Sequence, residues 1–177
     1  MALEVPTVSF PSTATRPNNT ICIDHNGERI NGHDDAGGLY QGYLCYRTGT
    51  TQSNDFTVAS DEFGDAATEG TIYAVEVQTS DIHQSYNFAD EAYGENDPIV
   101  VVRLEIGKKY WLKVSALTVV EDTLYNAVGA TVGAIDDPTP DAITKSVHVF
   151  RCLAAATTLT GWCPFEYQGH RAIDTAA

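Results

Sequence analysis

The stretch "DHNGERINGHDD", Asp24 to Asp35, gathers two histidines, three aspartates and a glutamate into twelve residues. Imidazole and carboxylate groups are what a divalent-cation site or an acid–base centre would use. A metal would draw on Asp24, His33, Asp34 and Asp35. The spacing, however, lacks the alternating acids, fixed glycine and closing glutamate of a calcium loop, and there is no H-E-x-x-H. It does contain Asn26-Gly27 and Asn31-Gly32, two strong turn dipeptides. The favoured reading is a solvated loop closing a hairpin, with no metal; a cation site is the alternative.

Other reactive pairs are poorly placed. His148 and Cys152 would share one side of a helix, but they fall in an apparent strand, where four residues span about 13 Å. Cys163 and His170 are separated by a proline and a glycine, with nothing to orient them. There is no G-x-S-x-G elbow, P-loop or G-x-G-x-x-G. The carboxylate pairs Asp61-Glu62, Asp90-Glu91 and Asp136-Asp137 sit in loop-like surroundings and arise by chance in so acidic a chain. The expectation is a protein with no catalytic residues and no cofactor. Cys22, Cys45, Cys152 and Cys163 are spread out without a C-x-x-C pair, so free buried thiols are expected and disulfides are the alternative.

The aromatic lead is Trp111. In "KYWLKVSAL" (109–117), Tyr110, Leu112, Val114 and Ala116 share one face, so Trp111 points the other way between Lys109 and Lys113. That face is basic and aromatic in an acidic protein. It reads either as a tryptophan covered by a loop or arm, as a contact surface for another chain, or as a sugar-stacking platform.

The composition narrows the choice. Acidic residues number 24 against 10 basic ones, a formal net charge of −14, which repels phosphate backbones and anionic lipid surfaces. No nucleic acid or membrane partner is expected. Apolar residues reach 43%, enough for a core, and no run of 18 apolar residues could span a bilayer. The N-terminus has no basic n-region or apolar h-region and is not expected to be a signal peptide.

Two parts position these residues. Residues 1–20 carry three prolines with Leu3, Val5, Val8 and Phe10 between polar residues, which predicts an extended arm whose apolar side chains lie on another surface. Residues 21–177 predict a single β-rich domain with little helix. Strands are expected at "TICID", "LYQGYLCYRT" (39–48, with Gly42 as a bulge), "TIYAVEVQT" (71–79), "IVVVRLEI" (99–106), 109–117, "VHVFRCL" (147–153) and "GWCPFEY" (161–167). In 71–79, Tyr73, Val75 and Val77 are expected on one face. In 99–106, Val100, Val102, Leu104 and Ile106 are expected on one face, and Gly107-Lys108 is expected to close a type II′ hairpin onto 109–117. Residues 82–93 could form one or two helical turns. The pattern points to an antiparallel β-barrel or β-sandwich.

The run "VGAIDDPTPDAITKSVHVFRCLAAATTLTGWCPFEYQG" resembles the closing section of small β-barrel decoration (cement) proteins of tailed-phage capsids. "NAVGATVGAI" corresponds to their Gly-rich turn, "HVFRCLAAA" to the penultimate strand and "GWCPFEY" to the last. The resemblance covers roughly 99–168, while residues 20–95 are longer and richer in loops. It implies a non-catalytic bacteriophage structural protein, a homotrimer made in the host cytoplasm and carried on the capsid exterior. Its partners would be the major capsid protein and copies of itself, met through Leu3, Val5, Val8, Phe10, Lys109, Trp111 and Lys113. The alternatives are another virion component, such as a tail-tube or head-completion protein, and a carbohydrate-binding or adhesive β-sandwich using Trp111 and Trp162.

Overall fold

The computed structural model describes residues 20–48, 54–59, 71–77, 92–126, 133–135, 147–154 and 157–171; at 115–119, 126, 147, 157–160 and 170–171 only the backbone is described. Leu3, Val5, Val8, Phe10 and the expected helical turns at 82–91 therefore lie outside the described residues. The described residues form strands and no helix. The chain is mainly β.

Five short strands close into a barrel: β1 (Arg29–Asp34), β2 (Leu44–Thr48), β3 (Asp55–Val58), β4 (Tyr73–Val75) and β5 (Pro98–Arg103). Around the ring they run β1-β3-β2-β4-β5, and β5 pairs back onto β1 from Arg29↔Val102 to His33↔Pro98. Four of the five pairings are antiparallel. The fifth, β1 with β3, is parallel, so the barrel is not wholly antiparallel as expected. A second sheet takes β6 (Lys109–Val119), β7 (Leu124–Asn126), β8 (Val147–Cys152) and β9 (Thr157–Arg171) in the order β6-β9-β8-β7.

Two cores follow from the alternation of side chains. Cys45, Phe56, Tyr73, Val75, Ile99 and Val101 fill the barrel, with Leu39 and Tyr93 packed among them. The alternate residues Leu44, Ala74 and Val102 turn outward and join Tyr110, Leu112, Val114, Phe150, Trp162, Cys163 and Phe165 of the second sheet in a larger core. Strands between two cores are buried on both faces, and this corrects two expected patterns. Val77 belongs to the outer core, not with Tyr73 and Val75. Within 99–106 the partition is Ile99 and Val101 inward, Val102 and Leu104 outward, while Ile106 is 72% exposed.

The expected hairpin between 99–106 and 109–117 does not form. β5 pairs with β1 and β4, and β6 pairs with β9. Lys108 N donates to Glu105 O, closing a turn in which Gly107, the third residue, has φ +78°. Positive φ at that position belongs to a type II turn, whose twist splays the flanking strands instead of pairing them. The chain thereby passes from barrel to sheet. Gly42 likewise sits in a turn before β2 and not in a bulge, and Ile21–Asp24 makes one isolated bridge instead of a strand.

Candidate interaction surface

β6 lies at the edge of its sheet, where unpaired backbone groups invite other chains. This edge is covered. Trp111 N donates to Ile21 O (2.7 Å), Ile23 N to Lys109 O (3.1 Å) and Lys113 N to Gly42 O (3.0 Å), while Ile135 N donates to Lys113 O (2.9 Å). The segment following the N-terminal nineteen residues is thus laid along β6.

Glu76 holds that segment in place. It is 4% exposed, and its carboxylate accepts bonds from Thr20 Oγ1 (2.8 Å), Ile21 N (2.6 Å), Val77 N (2.9 Å) and Arg29 Nε (3.1 Å). A buried carboxylate is tolerable only with such partners. Arg29 Nη2 also reaches Thr20 Oγ1 at 2.8 Å, closing the cluster. Neither Glu76 nor Arg29 stands out in the sequence. The one signal is a charged residue inside an apolar strand run, "YAVEV", where an unpaired carboxylate would be costly.

The expected basic and aromatic face of β6 is present but internally engaged. Lys109 Nζ pairs with Asp24 at 3.2 Å. Burial alone would raise the Asp24 carboxyl, but the bond and charge of Lys109 outweigh it, with help from His25, and hold it below its ordinary value. Trp111 is half-buried and packs against the larger core. Lys113 Nζ lies 5.1 Å above the Trp162 ring. Trp162 is 3% exposed and its ring lies under Gly42, where an added Cβ would come within 2.4 Å of it. A ring so covered offers no stacking face to a sugar.

The Asp24–Asp35 stretch is dispersed. Asp24 faces Lys109 and His25; His33 Nδ1 lies 3.8 Å from Asp55 Oδ1. Asp34 is fully buried, its carboxylate accepting bonds from Gly37 N (3.0 Å) and Leu39 N (2.9 Å); burial pushes its carboxyl up despite them. Asp35 is exposed. Among the described residues no three His, Cys, Asp or Glu side chains converge to hold a metal ion. Asn31-Gly32, expected as a turn, lies inside β1, and a Cβ on Gly32 would fall 2.2 Å from Asn54 O. The glycine serves close approach of β1 to β3.

His148 is buried, with Nδ1 2.6 Å from the Tyr167 hydroxyl, which burial pushes up to about 12. All four cysteines are free and buried. Cys152 and Cys163 lie side by side, Sγ to Sγ 3.8 Å, on the neighbouring strands β8 and β9. No protein-family model matches the chain, and no curated protein matches it either.

Proposed function

We propose that this is a non-catalytic structural protein of a virion, which binds a capsid lattice and stabilises it as a decoration protein. The observation that carries the reading is the fixed origin of the N-terminal segment. Thr20 and Ile21 are clamped by Glu76, and Ile21–Ile23 is bonded along the edge of β6. The proline-rich residues before them are joined directly to this two-core scaffold. An arm so rooted can lap over a neighbouring subunit with Leu3, Val5, Val8 and Phe10 as its apolar contacts, without loosening its own domain. Burying area across a junction between capsid subunits stabilises the shell by mass action.

The charge supports the same reading. Described cations are largely consumed internally: Arg29 by Glu76, Arg103 by Glu28, Lys109 by Asp24 and Arg151 by Glu166 and Asp122. Exposed carboxylates among the described residues, such as Asp35, Glu95, Asp97, Glu105 and Glu121, suit a basic surface on the capsid protein, with copies of this chain meeting as a trimer through the arm.

The test is co-sedimentation with undecorated capsids of the phage that encodes the chain. The full chain is expected to pellet with them and raise their melting temperature. A variant lacking residues 2–19, with its own melting temperature unchanged, is expected to stay in the supernatant. Full retention of that variant on the capsids would overturn the role of the arm, and failure of the full chain to bind would overturn the capsid reading.

A further inference from the structure

Cys152 and Cys163 stand apart from the other two cysteines. Cys152 lies opposite Phe165 in the β8–β9 ladder, so Cys163 is its diagonal neighbour two residues along β9. Diagonal side chains on adjacent strands are within reach of one another, and here the sulfurs are 3.8 Å apart with both residues wholly buried. No other residue separates them. Cys22 and Cys45 are also buried, but neither has a thiol neighbour, and burial pushes both thiols up. At Cys152 the hydrogen bond with Cys163 dominates and holds its thiol below the ordinary value, while the same contact pushes Cys163 up. A thiolate on either sulfur is thus stabilised by the S–H of the other.

We propose that Cys152 and Cys163 are a disulfide-forming pair that joins β8 to β9 when the folded protein meets a low-molecular-weight disulfide. The reaction runs in two exchanges. Cys152 loses its proton to solvent and its thiolate attacks one sulfur of the oxidant, expelling the other as a thiolate. Cys163 then loses its proton and attacks the Cys152 sulfur, expelling the second small thiolate. The protein gives up two electrons and two protons, and the oxidant's disulfide becomes two thiols. Closing the bond brings the sulfurs from 3.8 Å to about 2 Å.

Access comes from the position of Cys152 at the last residue of β8. Its N–H donates to Thr123 O (2.9 Å) and its carbonyl accepts from Asp122 N (3.0 Å), and only the bond of Leu153 N to Pro164 O (3.0 Å) carries the β8–β9 pairing beyond it, so exchange requires this strand end to open. Strand ends open locally at far lower cost than the global fold. The inference goes beyond the capsid reading and holds whether or not the chain binds a capsid.

The experiment incubates the full folded chain with glutathione disulfide or with dithiothreitol, then measures intact mass, peptide map and melting temperature. The expected product has lost two hydrogens, carries a linked Cys152–Cys163 peptide pair and keeps Cys22 and Cys45 as thiols. It should melt several degrees above the reduced form, because the cross-link restrains the unfolded chain. The Cys163→Ala variant is expected to stop at a glutathione adduct on Cys152. Adducts on the unaltered chain without the cross-link would overturn the proposal. So would an unchanged mass, or a bridge to Cys22 or Cys45.

Discussion

Glu76 is the residue on which the arm's root depends. Its two oxygens accept bonds from the hydroxyl, amide and guanidinium groups of Thr20, Ile21, Val77 and Arg29. Glu76→Gln keeps the size but turns an N–H₂ toward donors, so it should lower stability by about 2–4 kcal/mol, read as a lower urea midpoint at unchanged slope. Glu166 offers a pH test. Burial tends to raise its carboxyl, but Arg151 (2.7 Å) and Gln168 (2.6 Å) outweigh that and hold it below its ordinary 4.5. A depressed carboxylate adds stability above its unfolded value, and that stability is lost as pH falls through the folded value. The melting temperature should therefore fall on acidification below about pH 4.5, and Glu166→Gln should flatten that fall; an unchanged acid limb would refute the pairing. Residue roles of this kind were half-legible. Trp111 between Lys109 and Lys113 could be read from period-2 alternation, whereas the partners that engage those lysines, Asp24 and Trp162, come from distant segments with no local signature.

The strands with β-branched runs, such as β5 and β6, were legible, but β1, read as a loop, and β3, not expected, were not, and neither was the pairing. A run such as "IVVVRL" carries the same letters whether one face or both are buried. Only the barrel on one side and the second sheet on the other explain why Val101 and Val102 are both fully buried while Val100 is not. Val101→Ala and Val102→Ala should each cost about 2–3 kcal/mol and Val100→Ala under half as much, measured by urea unfolding. Equal costs at all three would show that β5 has one buried face. Gly107 misled for a related reason. Glycine marks a turn in sequence, but whether it takes the second or third place decides between a hairpin and a corner, and that place is set by the tertiary contact of Gly107 N with Tyr167 O (2.8 Å). At Gly32 the glycine marks no turn at all; a neighbouring strand occupies the space of its missing side chain.

At the scale of the whole molecule, the net charge of −14 sets the surroundings in which everything else operates. Self-repulsion opposes compaction and is screened over roughly 8–10 Å at physiological ionic strength. Raising salt from low to moderate concentration should therefore raise the melting temperature of the isolated protein, with magnesium more effective than sodium at equal ionic strength. A falling melting temperature would mean that the internal ion pairs outweigh the repulsion. The acidic balance was plain in the sequence, as was the mainly β class. That the barrel closes through one parallel pair, β1 with β3, was not, since parallel pairing leaves no trace in local turn chemistry.

The double burial of β5 reaches into how the protein comes apart. A strand shared by two cores cannot leave one without stripping the other, so barrel and sheet should unfold as one cooperative unit. Native-state hydrogen exchange would see this directly. The amides of Val101 and Val102 should exchange only through global opening, with the same denaturant dependence as Leu112 on β6. A lower opening energy for β6–β9 alone would show that the sheet can detach while the barrel stands. If the two open together, a pull on residues rooted at Thr20 and Ile21 is met by the entire fold.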